Sequence, residues 1–240
     1  VSIYVMIRMM LTVFGPETVF VALPWSEVVI WLAVVDIVAA SLMALAQKNF
    51  RRMLAYLIIA EVGYMVGGAW LANHYGMVGA IYHIISDAFM TLCMFLAAGI
   101  LFTKSDVLTG FKGMYVRKPA TMMAFTLGAL SLIGIPPTCG FFSKFYLIRG
   151  GIESGHWEFV IALLFSSLIN VILFFRIIEY AYFGKGGEDH GHQLIERNEA
   201  PAMILGPLLL AAAGLIIVGL SNGPLVENLI KLAIPASFLG

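Results

Sequence analysis

The sequence predicts an all-α integral membrane protein: a polytopic bundle of about six complete transmembrane helices, a partial helix before them, and one helix broken at Pro136-Pro137. Three observations predict it. Of the 240 residues, 61% are hydrophobic and 12% charged, with a mean hydropathy of +0.95, whereas a soluble domain carries about 45–50% apolar and about 25% charged residues. Apolar runs also reach the ~20 residues that a helix needs to cross a hydrocarbon core of about 30 Å. Finally, short polar or basic knots separate those runs along the whole chain. A formal net charge of zero leaves no basic face for nucleic acid.

Residues 1–14 read as the end of an apolar helix already under way, too short to span a bilayer, which predicts the C-terminal portion of a larger protein. A loop with Gly15-Pro16 and Pro24 follows, and residues 27–46 form the first complete span. The knot Gln47-Lys48-Asn49-Phe50-Arg51-Arg52 ends it. The second span covers residues 53–71 and turns at Asn73-His74-Tyr75-Gly76; the third covers residues 77–102. After a polar connection over 103–119 comes the fourth span, 121–148, which holds the double proline. Pro136 and Pro137 lack backbone N–H groups and clash with the preceding turn, so a helix through them must break. The fifth span is 157–183, the hydrophilic stretch 184–200 follows, and Pro201 opens the sixth, to about 220. Residues 1–220 thus form the transmembrane bundle. The tail, 221–240, places Leu225, Leu229, Leu232 and Ala233 as expected for a helix lying at the membrane interface.

Alternating the connections puts Lys48, Arg51, Arg52, Lys104, Lys112, Arg117, Lys118, Lys185 and Arg197 on one side, and Arg8, Arg149 and Lys231 on the other. Nine against three places loops 47–53, 103–119 and 184–200 in the cytoplasm, as in a prokaryotic inner membrane.

Away from the very ends of the spans, six ionisable residues stand out: Asp36, Glu61, His83, Asp87, Lys144 and Arg176. On insertion scales a buried Asp or Lys costs about 2.5–3.5 kcal/mol at the bilayer centre. Six of mixed sign are hard to treat as accident; they can pair or relay through a hydrated interior. His83, Asp87 and Thr91 recur at four-residue steps and so share one helix face. A His one turn from an Asp can pass a proton, although a polar stripe joining two helices has the same spacing. Glu61 and Asp36 sit mid-span, where a protonated, hydrogen-bonded carboxyl is an equal reading. Arg176 lies near a helix end with Glu179 one turn on, a place for snorkelling. Lys144 stands beside the break among Phe141, Phe142, Phe145 and Tyr146, and a broken membrane helix with an ionisable side chain at the break marks a transport site.

No cofactor or metal is expected. Cys93 and Cys139 read as small core residues. His190 and His192, beside Glu188 and Asp189, read as a solvated loop rather than a metal cluster. Gly63, Gly67 and Gly68 let helices approach closely without framing a dimer-type GxxxG face.

Three stretches carry a resemblance: LAQKNFRRMLAYLIIAEVGYM, GAIYHIISDAFMTLCMFLAAGIL and LGALSLIGIPPTCGFFSKFYLI. In that order they resemble consecutive helices of the antiporter-like subunits: the proton-pumping membrane subunits of respiratory complex I (NADH-quinone oxidoreductase), membrane hydrogenases, and the large subunits of Mrp-type Na⁺/H⁺ antiporters. The resemblance runs over about residues 1–183. It implies two inverted five-helix repeats, of which this chain holds largely the second. It also implies that Lys144 is the terminal proton site of a half-channel, that His83 matches a channel histidine, and that Asp87 falls where relatives carry His or Asp. Thr91 falls where many relatives carry a central lysine; a hydroxyl can bridge water but holds no charge, so relay there needs water, Asp87 or Glu61. The function implied is proton translocation along a polar chain ending at Lys144, beside other membrane subunits. Two other readings are Na⁺/H⁺ exchange, with sodium at Asp36, Asp87 or Glu61, and a non-conducting structural subunit.

Overall fold

The computed structural model describes residues 2–22, 25–101, 113–183 and 198–234, and among these every regular element is helical. Helix α1 (Ser2–Arg8) continues in π-helical register over Met9–Val13, and a second π-helical segment covers Glu17–Ala22. Five helices are long and apolar enough to cross a membrane. They are α2 (Ser26–Leu45), α3 (Phe50–Trp70), α4 (His74–Leu101), α8 (Trp157–Phe183) and α9 (Ala202–Leu220). The sixth crossing is the broken one. A short helix α5 (Met114–Arg117) leads into α6 (Pro119–Ile133), and α7 (Cys139–Glu153) resumes after the double proline.

Local chemistry sets these boundaries. Asn49 caps α3, its side chain accepting from the Arg52 N–H at 3.1 Å, as expected of an N-cap residue. Asn73 closes the turn before α4 by accepting from Gly76 N at 2.7 Å, and its amide donates to the Gly150 carbonyl at 2.6 Å, tying that turn to the end of α7. On the opposite side, the Lys118 ammonium donates to the Ile100 carbonyl and Glu199 accepts from Ala120 N and the Thr121 hydroxyl, so connections assigned to one side do meet there.

The bundle holds a polar cluster within an apolar core, and its outer faces are apolar as well. Glu61, His83, Ser86, Ser143, Lys144, Ser166 and Asn170 are buried, while Leu32, Val35, Leu164, Leu168, Phe175, Leu210 and Ile217 face outward. Such outward faces would be mismatched to water and are matched to lipid. Small residues allow the closest approaches. Gly63 and Gly67, one turn apart, lie against α2 at Ile37 and Ala33, so a GxxxG-type seam does exist, within the chain. Gly79 of α4 lies against Leu147 of α7, with a would-be Cβ 2.8 Å from its backbone nitrogen.

The tail forms a short helix α10 (Asn222–Leu225), a π-helical turn (Val226–Ile230) and α11 (Lys231–Ala233). Val226 and Ile230 are buried, whereas Leu229 and Leu232 are exposed.

Candidate functional site

The break in the fourth span is built by sequence and held by side chains. Helix α6 ends on Gly134, in the left-handed conformation at φ 94°, with Gly134 and Ile135 N–H groups both donating to the Leu130 carbonyl. This is the usual use of a glycine at a helix C-terminus. The Pro136-Pro137 bond is cis. Thr138, extended, starts α7. Among the last carbonyls of α6, that of Leu132 accepts from Lys144 Nζ at 2.6 Å and from Asn170 Nδ2 at 3.1 Å. Gly140 N donates to Ser131 Oγ at 3.3 Å, and a side chain at Gly140 would run into the Ser131 backbone. Orphaned carbonyls at membrane depth are thus satisfied by the protein. Lys144 also sits at the negative end of the α6 dipole, a favourable place for an ammonium.

Lys144 is 4% exposed. Its Nζ lies 3.3 Å from Ser167 Oγ on α8 and 3.8 Å from Glu61 Oε1 on α3. Glu61 in turn approaches His83 of α4, Oε2 to Nε2 at 2.6 Å. That approach is close without the alignment of a regular hydrogen bond, so the carboxylate keeps unused acceptor capacity. The other ring nitrogen of His83 meets Ser143 Oγ at 2.9 Å, one residue before Lys144. Four helices therefore converge on one buried cluster of a base, an acid and an imidazole.

The remaining predicted residues divide. Asp87 accepts from the Thr91 hydroxyl at 2.9 Å, and both line a cavity of about 500 Å³ with Ile3, Tyr4, Met65 and Phe95. They are one and two turns from His83 on α4. Asp36 lies away from the cluster, half-buried on α2, with its carboxylate against Gly63. Arg176 is exposed on α8. His83 touches Glu61 directly, and Asp87 is not between them. Cys93 and Cys139 are free and buried. The reading of His190 and His192 falls outside the described residues.

Sequence reasoning passed over Tyr64, Ser143, Ser166, Ser167 and Asn170. A signal for the last three was present, because Ser166, Ser167 and Asn170 interrupt an apolar helix with Ser166 and Asn170 one turn apart. Tyr64 follows Glu61 by three residues and so shares its face.

A bundle with apolar outer faces, one helix broken within it and charge buried at the break is a polytopic membrane protein of the transporter type. The chain belongs to the family described as "NADH:quinone oxidoreductase/Mrp antiporter, TM", whose profile matches residues 1–170. It is 38% identical to NADH-quinone oxidoreductase subunit N of Desulforudis audaxviator, over 98% of this chain and 48% of that protein. It is 32% identical to F(420)H(2) dehydrogenase subunit N of Methanosarcina mazei, over 87% of this chain and 44% of that one. Among solved structures it resembles a chain of the archaeal membrane-bound sulfane sulfur reductase, with a TM-score of 0.80 at 28% identity, covering 96% of this chain and 45% of the other. It shares its fold with a chain of the Mrp complex from Dietzia sp., with a TM-score of 0.83 at 19% identity, over 94% and 49% of the two chains. The chain spans about half the length of the curated relatives it matches.

Proposed function

We propose that this chain carries one proton-conducting half of an antiporter-like subunit, working beside other membrane subunits of a respiratory or antiporter complex. The observation that carries the reading is the buried line His83–Glu61–Lys144 at a helix break. A protonated His83 gives its proton to the Glu61 carboxylate, leaving neutral imidazole and a carboxylic acid. Glu61 then gives that proton to a neutral Lys144 amine, restoring the carboxylate and forming the ammonium. The first step spans 2.6 Å and the second 3.8 Å, a gap that a side-chain swing or one water closes. Burial strengthens each charge's effect on the others, so charge arriving on one site drives the proton along.

The Asp87–Thr91 pair, facing its cavity, supplies the entry side of this path. Thr91 orients the carboxylate as a hydrogen-bond donor and need not hold a charge itself. The membrane is a prokaryotic inner membrane, with the basic loops 47–53, 103–119 and 184–200 towards the cytoplasm.

The test is proton transport by the assembled complex in vesicles. Lys144→Ala should abolish transport through this subunit, and Asp87→Asn should slow it by about a hundredfold, the low end of what one positioned acid–base group contributes. Undiminished transport in Lys144→Ala sinks the assignment, and transport that depends on sodium in place of a proton gradient moves it to Na⁺/H⁺ exchange.

A further inference from the structure

We propose that Tyr64 is a positioning residue for Lys144, held by a strut of hydroxyl groups that ties α3 to α8 and α2; the inference rests on the proton-relay reading of the Lys144 site. Tyr64, Ser166 and Ser41 are each fully buried. The Tyr64 hydroxyl donates to Ser166 Oγ at 2.6 Å, Ser166 Oγ is 2.6 Å from Ser41 Oγ, and Ser41 Oγ is 2.7 Å from the Ile37 carbonyl. A carbonyl can only accept, so the single Ser41 proton goes to Ile37, and Ser166 donates to Ser41 while accepting from Tyr64.

Direction decides what the chain of hydroxyls does. A proton wire must end on a group that can release a proton onward. This one ends on a backbone carbonyl inside α2, so it is a dead end for protons and acts as a strut. Its effect is to fix the Tyr64 ring. That ring has its centroid 5.2 Å from Lys144 Nζ, within cation–π range, and meets the His83 ring edge-on at 5.5 Å. The same ring therefore packs against two members of the relay and favours the charged form of Lys144.

Other groups facing Lys144 leave room for this effect. Glu61 and Tyr64 reach it from α3, and His83 of α4 acts through Glu61. Helices α6 and α8 present neutral groups among the described residues: the Leu132 carbonyl, Ser167 and Asn170. A cation–π contact between desolvated groups is worth roughly a tenfold change in protonation equilibrium, about one pH unit.

The experiment is the pH profile of proton transport by the full complex in vesicles. Tyr64→Leu should slow transport about tenfold above neutral pH and move the alkaline limb down by about one unit. Tyr64→Phe keeps the ring and should recover most of the rate. Ser166→Ala, a small change that does not touch Lys144, should shift the limb the same way by a few tenths of a unit. A loss of rate with an unshifted profile in both Tyr64→Leu and Ser166→Ala, while Lys144→Ala abolishes transport, overturns the positioning role alone. If Lys144→Ala transports normally, the relay reading falls first and takes this inference with it.

Discussion

Glu61→Gln removes one charge from a buried pair at almost constant volume, which makes it the sharpest probe of the cluster. Lys144 Nζ lies 3.8 Å from Glu61 Oε1, with side-chain exposures of 6% and 1%. At that separation Coulomb's law gives about 4 kcal/mol of attraction for an effective dielectric constant near 20. Stranding one member of a buried pair costs about 3–5 kcal/mol. The Leu132 carbonyl and Ser167 hydroxyl continue to hold the ammonium after the change, so the cost should fall at the low end, about 3 kcal/mol. Lys144→Met strands Glu61 instead, but His83 at 2.6 Å can take up the compensating proton, and the cost should be smaller, about 2 kcal/mol. The double variant replaces the pair with neutral groups and should cost less than the sum, leaving a coupling of about 2–3 kcal/mol. Equilibrium unfolding of the four proteins in mixed micelles measures this directly. Costs that add to within about 0.5 kcal/mol would show that the two charges do not interact, and the relay would lose its central step.

Two further outcomes follow from the packing. Gly140→Ala places a methyl group 2.8 Å from the Ser131 backbone carbon, between two rigid segments; it should destabilise the protein by about 1–3 kcal/mol and shift α7 enough to impair transport. Wild-type stability in an unfolding experiment would mean that α6 and α7 do not approach this closely. Orientation is open to labelling, because Cys93 and Cys139 are buried and give little background. A cysteine at Lys48 should react with an impermeant maleimide from the cytoplasmic side and one at Glu153 from the other side, both positions being exposed; the reverse pattern refutes the charge-based assignment.

Spans were legible because lipid imposes one rule on every residue of a helix. An outward position must be apolar whatever its neighbours, so length and hydropathy located α2, α3, α4, α8 and α9 to within a few residues. The break was equally legible, since Pro136 and Pro137 stop a helix through local sterics. Partners across the bundle were harder to read. Periodicity puts His83, Asp87 and Thr91 on one strip of α4, yet it does not say which neighbouring helix meets each turn. His83 meets α3 and α7, while Asp87 and Thr91 meet a cavity beside α1. The seam of Gly63 and Gly67 against α2 settles part of this by fixing how α3 faces its neighbours, and that depends on contacts far apart in sequence.

The proposed relay gives Lys144 two duties that pull against each other. As the partner of the Leu132 carbonyl it closes the broken helix, and as the proton site of that relay it would have to change charge and release its grip. A carbonyl left bare at membrane depth would cost several kcal/mol. Asn170 resolves the conflict, because its amide donates to the same carbonyl from α8 and carries no titratable charge. The carbonyl therefore stays satisfied in either state of Lys144, and the ammonium is free to trade the Leu132 carbonyl for Glu61. The broken helix is stabilised by a neutral group, which leaves the charged one available to the proposed relay.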